Sequence, residues 1–320
     1  MKNGIPRNEI ISHIYEEIQK HVVGQKDALK FIIAAFLAEG HVLLEDVPGV
    51  GKTTLAKALA QAIQANFQRV QATPDLLPQD ITGGMIYRQD TQEFVLRKGP
   101  LFTQFLLFDE INRSTPRTAS ALLEAMAEGQ VTIDGKTMPL PTPFFVIATQ
   151  NPVESEGVFA LPEAQLDRFL VKVKLGYPTQ SEERKILERF RAGIQPEAIR
   201  AAVTTVQAES IRQQCRDVQL SEDVLLYILE IVRLTREPDW FQIGASPRAG
   251  LGVMAISQAL AWMDDRNYVL PDDVKDAIVP VLSHRVMLTP ERRARGETEG
   301  TILNQLLQHV PVPGELKVIS

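Results

Sequence analysis

A short apolar run, a glycine turn and a helical stretch succeed one another between residues 41 and 64. The run His41-Val42-Leu43-Leu44-Glu45 is too short for a helix and reads as a buried strand. Pro48-Gly49-Val50-Gly51-Lys52-Thr53 follows, and Lys52 to Gln64 has helical spacing. Strand, glycine loop and helix in this order turn backbone N–H groups and the positive end of a helix dipole towards one point, which suits a polyphosphate. In that geometry Lys52 reaches the β- and γ-phosphates, the Thr53 hydroxyl binds Mg²⁺, and Thr54 lies in the same first turn. The general pattern sets its first glycine at position 46, where this chain has Asp46. Taken alone, the segment also fits an ordinary strand-to-helix turn with a surface lysine.

The rest of the first half repeats the alternation. Further short apolar runs occur at Phe67-Gln68-Arg69-Val70-Gln71, Phe105 to Phe108, Phe144 to Ala148 and Leu170 to Leu175, with helical patterns between them such as Pro116 to Glu128. Five strands separated by helices predict an α/β fold with a parallel sheet covered on both faces. Before the first strand, Glu9 to Leu37 reads as two helices broken at His21-Val22-Val23-Gly24-Gln25, with Gly40 closing the second. Two intervals break the alternation: Thr73 to Gly99, with a hairpin around Gln89-Asp90-Thr91-Gln92, and Gln130 to Pro143, with two strands joined at Asp134-Gly135. After Tyr177-Pro178 only helical patterns remain, at Ser181 to Ala192, Ser221 to Thr235, Pro247 to Met263 and Pro271 to Leu282. The length of 320 residues suits two domains with cores of their own, 1–178 and 179–320, the latter ending in a Pro-containing tail after Val310.

The remaining chemistry sits at strand ends. Phe105-Leu106-Leu107-Phe108 runs into Asp109-Glu110, where the first carboxylate can hold the Mg²⁺ shell and the second can polarise an attacking water. The bland reading is a capped strand end facing solvent. The strand Phe144 to Thr149 leads to Gln150-Asn151, whose amide can orient that water; a turn-forming Asn before Pro152 is the alternative. Arg168, between a helix and the last strand, and Arg248, at the start of a second-domain helix, can each spread charge over a transferring phosphoryl group, or can form ordinary surface salt bridges.

Composition excludes several classes. A net charge of -6 and a pI near 5.5 give no basic field for nucleic acid. The single cysteine, Cys215, fits a reducing compartment and an inert thiol. The longest apolar run, Phe31 to Ala38, is far short of a bilayer span, so no membrane insertion and a cytoplasmic location are expected.

Together these residues resemble the MoxR branch of the AAA+ ATPases. The likeness is carried by Leu107-Phe108-Asp109-Glu110-Ile111-Asn112-Arg113, Ala121 to Met126, Ala148-Thr149-Gln150-Asn151-Pro152, Leu161 to Phe169 and Ser246-Pro247-Arg248-Ala249. It implies an AAA+ P-loop NTPase core with a smaller all-α lid domain, binding ATP and Mg²⁺. It implies Walker A roles for Lys52 and Thr53, Walker B roles for Asp109 and Glu110, sensor 1 for Asn151, a finger for a neighbouring subunit in Arg168 and sensor 2 in Arg248. Val22-Val23-Gly24-Gln25 corresponds to the segment flanking adenine, so Val23 and Gly24 join the cofactor-binding set. The odd intervals correspond to a helix-2 insert (73–99) and a hairpin before sensor 1 (130–143), and this branch tolerates residues such as Asp46 in its P-loop. Arg113 and Arg117 either approach a neighbouring subunit or form a salt-bridged helix start. The resemblance further implies a homo-oligomeric ring, a hexamer, that remodels a client with a separate von Willebrand factor A domain partner. An ATPase subunit of a metal chelatase and a nucleotide-gated scaffold with little turnover are the competing readings.

Overall fold

The computed structural model describes residues 7–45, 49–151, 159, 161–192 and 197–314. Asp46 and Pro48 of the glycine loop, and Pro152, lie outside these residues. In chain order, α1 (Arg7–Gln19) and α2 (Lys26–Leu37) precede β1 (Val42–Glu45), α3 (Lys52–Ala62) and β2 (Phe67–Gln71). Then come α4 (Pro78–Thr82), the hairpin β3 (Gly83–Arg88) and β4 (Glu93–Lys98), β5 (Phe105–Asp109), and α5 (Pro116–Glu128). The hairpin β6 (Gln130–Ile133) and β7 (Lys136–Pro139) leads to β8 (Phe145–Gln150), α6 (Glu163–Leu166) and β9 (Val171–Val173). Only helices follow: α7 (Gln180–Arg191), α8 (Thr205–Arg216), α9 (Glu222–Leu234), α10 (Pro247–Met263), α11 (Pro271–Leu282), α12 (Pro290–Ala294) and α13 (Glu299–Leu307).

The five strands expected from the sequence form one sheet in the order β2-β5-β8-β1-β9, all pairs parallel. Parallel strands need helical crossovers, and those helices cover both faces. Alternation along each strand divides the core accordingly. Val42, Leu44, Phe105, Leu107, Phe145 and Ile147 face one apolar layer, and Leu43, Leu106, Phe108, Val146 and Ala148 face the other, with α4 and α5. Both odd intervals are antiparallel hairpins. That of β6 and β7 turns on Asp134 and Gly135, both at positive φ (46° and 76°), the conformation a two-residue hairpin requires.

Local signals set the helix ends. Thr115 caps α5 by accepting from the Thr118 amide, Pro116 supplies a preset φ at its first position, and Gly129 at φ 61° closes it. Helix α8 was not expected, because only four of its residues are buried and its apolar period is weak. The short α12 and α13 were likewise missed.

The cores are less separate than the chain order suggests. The layer under α1, α2 and α3 continues through the sheet face into α8, α10 and α11. Phe36 of α2 is the centre of this junction: its ring centroid lies 5.2 Å from that of Phe105 and 5.4 Å from that of Phe145. From α8, the Arg212 guanidinium stands 4.3 Å from the Phe36 ring and donates to the Phe36 carbonyl at 3.0 Å. The N-terminal helices thereby bond the sheet to the helical half. Cys215 is buried, and desolvation pushes its thiol up to about 12, far from a reactive thiolate.

Candidate active site

The carboxyl ends of β1, β5 and β8 converge on one cleft of about 370 Å³, lined by Gly49, Gly51, Lys52, Thr53, Thr54, Asp109, Glu110 and Asn151. Gly49 and Gly51 have φ of 88° and 89°, left-handed values that disfavour any residue with a side chain. A Cβ built on either would meet no atom within 4 Å, so the backbone there borders open space. Backbone donors at the start of α3, the ammonium of Lys52, the hydroxyl of Thr53 and the carboxylate of Asp109 fit a triphosphate with its magnesium ion. Among the described residues no cluster of three or more His, Cys, Asp or Glu could hold a metal by itself. The ion would therefore take further ligands from the nucleotide.

The two carboxylates are held differently. Asp109 is buried, accepting from Thr149 Oγ1 at 3.2 Å on Oδ1 and from Arg69 Nε at 2.7 Å on Oδ2. Thr149 Oγ1 also accepts the Glu110 amide at 2.8 Å, so one hydroxyl joins both acidic residues. Glu110 sits at φ 57°, ψ 49°, a left-handed conformation costing a side-chain-bearing residue about 1–2 kcal/mol. Its Oε2 accepts from Gln71 at 2.8 Å and Arg113 at 3.0 Å. Among the described residues both bonds fall on Oε2, which leaves Oε1 as the oxygen to face a water. Asn151 is buried, and its carbonyl accepts from the Asn112 side chain at 3.3 Å.

Arg69, Gln71 and Thr149 were missed by sequence reasoning. A signal existed: three of the five residues of Phe67-Gln68-Arg69-Val70-Gln71 are polar, and Arg69 and Gln71 share one face of an edge strand. Arg113 forms an ion pair with Glu110 of its own chain, and Arg117 is exposed.

Val23 and Gly24 line an adjoining cavity of about 710 Å³ with Lys174, Leu175, Glu182 and Lys185. Gln25 fastens this wall to the glycine loop by donating to the Val50 carbonyl at 2.8 Å. Gly24 has φ 79°, and a Cβ there would lie 2.5 Å from the Glu182 carboxylate, so both backbone and space require glycine.

Arg168 and Arg248 lie elsewhere. They share a cavity of about 310 Å³ with Gly40, His41, Asp167 and Arg285. Arg168 precedes β9, and Leu170 donates to the carbonyl of His41, the residue before β1. In a parallel sheet that is the opposite end from the glycine loop, separated by the length of β1, about 13 Å, plus the loop itself. Buried His41 receives the Val146 amide on Nδ1 at 3.1 Å and bonds the Met126 carbonyl through Nε2 at 3.1 Å, which fixes a neutral ring protonated on Nε2. Burial lowers its pKa to about 4. His284 bonds the Phe169 carbonyl at 2.9 Å, and burial followed by the neighbouring Arg285 charge drives its pKa well below the usual value.

Comparison with known proteins agrees with this geometry. Residues 41–171 match the ATPase family associated with various cellular activities (AAA), and residues 233–306 match the AAA lid domain. YeaC of Bacillus subtilis is 45% identical over 95% of this chain and 95% of its own length. The chaperone MoxR1 of Mycobacterium tuberculosis is 42% identical over 93% of this chain and 81% of its own. A solved structure of a candidate ATPase from Cytophaga hutchinsonii superposes with a TM-score of 0.89 at 39% identity, over 96% of each chain. With a five-stranded parallel sheet, a helical lid and relatives of this likeness over nearly its whole length, the chain belongs to the MoxR branch of the AAA+ ATPases.

Proposed function

We propose that this protein hydrolyses ATP at sites shared between neighbouring copies in a ring, a hexamer, and uses the cycle to remodel or activate a client protein. The observation carrying the reading is that Arg168 and Arg248 share one cavity at the end of the sheet opposite Lys52. Neither can reach phosphates bound at its own glycine loop. A copy docked head to tail, with its glycine loop against this cavity, receives both guanidinium groups, and a heterologous contact of that kind closes into rings.

Within such a site, residues 1–178 act as the nucleotide core and 179–320 as the lid and tail. Val23 and Gly24 border the base; the amides of Gly49, Val50 and Gly51, with Lys52 and Thr54, hold the phosphates. A magnesium ion held through Thr53 and Asp109 would neutralise charge on the β- and γ-oxygens. Asn151 orients a water, and Glu110, through Oε1, takes its proton as the oxygen attacks the γ-phosphorus and the bond to the ADP oxygen breaks. Lys52 and the neighbour's Arg168 stabilise the charge that develops. Arg248, on the lid, meets the same neighbouring nucleotide.

The remodelling role rests on the name of one relative, the chaperone MoxR1, and on an apolar projection. On the hairpin of β3 and β4, Ile86, Tyr87 and Phe94 are exposed, with the Tyr87 and Phe94 rings 5.2 Å apart. This surface suits a client or a separate von Willebrand factor A domain chain. A cytoplasmic location is consistent with the single buried thiol and with the absence, among the described residues, of a helix long and apolar enough to cross a membrane.

The test is complementation. Arg168→Ala and Glu110→Gln subunits, each inactive alone, should recover part of the ATPase activity when mixed, because some interfaces then pair an intact Glu110 with an intact Arg168. Mixed rings without recovery would rule out the shared site.

A further inference from the structure

Arg285 follows α11 and is almost fully buried, its side chain 4% exposed, in the cavity that holds Arg168 and Arg248. A guanidinium carries five N–H donors in a rigid fork. All five are used here. Nε donates to Asp167 Oδ1 at 2.6 Å; one terminal nitrogen donates to the carbonyls of Leu170 (3.1 Å) and Val281 (2.8 Å); the other donates to the carbonyls of Asp167 (3.1 Å) and Phe169 (2.8 Å). Four of these bonds go to the segment 167–170, which contains Arg168, and the fifth goes back to α11. The neighbouring His284 adds a second donor to the Phe169 carbonyl at 2.9 Å. A side chain so saturated has nothing left for a phosphate, so Arg285 is no third finger. Its bonds instead span Arg168 on both sides and tie that backbone to the lid.

We propose that Arg285 is the positioning residue for Arg168, making the 167–170 segment part of the lid so that Arg168 and Arg248 are presented to the neighbouring subunit as one unit. This rests on the reading of Arg168 as a group given to the next copy. The Arg248 charge lies close enough to Arg285 to act on it electrostatically, and Asp167 is its ion-pair partner. The lid therefore carries a concentrated positive face with one internal carboxylate committed to Arg285. Without the clamp, Arg168 stays in the chain with its charge intact and loses its geometry, and a misplacement of about 1 Å costs about 10²-fold in rate.

The experiment uses full-length rings of Arg285→Met and of Asp167→Asn, the second nearly isosteric and removing only the ionic part of the clamp. Turnover of ATP, binding of a fluorescent non-hydrolysable ATP analogue and the melting temperature are measured for each, and each is mixed with Glu110→Gln subunits. Arg285→Met should lower kcat about 10²-fold and Asp167→Asn about tenfold, analogue affinity should stay within about twofold, and mixing should restore part of the activity. Recovery on mixing is a readout a general packing defect does not give, because the donor subunit supplies only an intact Arg168 face. Wild-type turnover in both variants, with Arg168→Ala inactive, overturns the positioning role and leaves the shared site standing. Turnover and analogue affinity falling together in Asp167→Asn, with no recovery on mixing, also overturns it. Wild-type turnover in Arg168→Ala itself overturns the shared-site reading instead. Should Arg285→Met fail to fold, the Asp167→Asn results decide alone.

Discussion

The two ends of the sheet are built by opposite means. At the glycine-loop end, geometry comes from backbone held in left-handed conformations, Gly49, Gly51 and Glu110, bordering an open polar cleft. At the other end, Arg168 is backed by buried side chains: neutral His41 and His284, and an Arg285 whose every donor is used. The first end is shaped to accept a ligand, and the second is stiffened to present a charge. An enzyme divided in this way binds nucleotide with one face and completes its transition state with the opposite face of another copy. Substitutions at the two ends should therefore separate binding from turnover.

The largest effect expected is at the presenting end. Arg168→Ala should reduce kcat about 10³-fold or more, the scale of an arginine finger, with nucleotide affinity unchanged when measured by equilibrium titration. An affinity loss of the same size would mean that Arg168 acts at its own glycine loop, and the comparison would collapse. At the accepting end, Glu110→Gln should lower kcat about 10²-fold or more by removing the proton acceptor while leaving ATP bound. It should not be rescued by raising ATP or magnesium. Complementation between these two variants is what distinguishes opposite faces of one interface from two defects in one site.

The same contrast explains what could be read from the sequence. The accepting end is local in sequence: a strand, two glycines, a lysine and a threonine, then acidic and amide residues at the ends of Phe105–Asp109 and Phe145–Gln150. Each appears as a run of neighbouring letters, and so do the five strands and the helices of Pro116–Glu128 and Pro247–Met263. Arg168 and Arg248 were legible as residues, but not as cavity-mates, because their meeting depends on α10 and α11 packing against the strand that follows Arg168. Arg285 gave no signal, since an arginine at a helix end usually faces solvent. Arg69, Gln71 and Thr149 were passed over for another reason. They lie within strands, where apolar neighbours define the element and a polar side chain looks incidental, although the parallel register sets Gln71 beside Asp109.

Acidification should loosen the presenting end first. His41 has a folded pKa of about 4 against an ordinary value of 6.5, and His284 is shifted in the same direction, both through burial. Between these values the unfolded chain binds a proton that the folded chain refuses, so stability falls as pH drops below about 6.5 and the loss is complete near pH 4. Between pH 6.5 and 5 each histidine can cost up to about 2 kcal/mol. Hydrogen exchange across residues 41–45 and 167–173 should accelerate in that window ahead of exchange at the start of α3. His41→Gln, which keeps an acceptor and a donor on one side chain, should flatten the pH dependence of urea unfolding. An unchanged slope would show that His41 does not resist protonation in the fold.

The smallest effect lies at the accepting end, in the hydroxyl that joins its two acids. Thr149 donates to Asp109 and accepts from the Glu110 amide, the residue held at φ 57°. Thr149→Val keeps the shape of the side chain and removes both bonds, leaving a left-handed Glu110 whose amide has lost its acceptor. Such a loss is worth about 1–2 kcal/mol, so kcat should fall about tenfold while the analogue remains bound. Thr149→Ser, which retains the oxygen, should stay near wild type. If valine weakens nucleotide affinity and leaves kcat alone, the hydroxyl serves the cleft rather than the water-activating carboxylate, and Glu110 owes its position to Gln71 and Arg113.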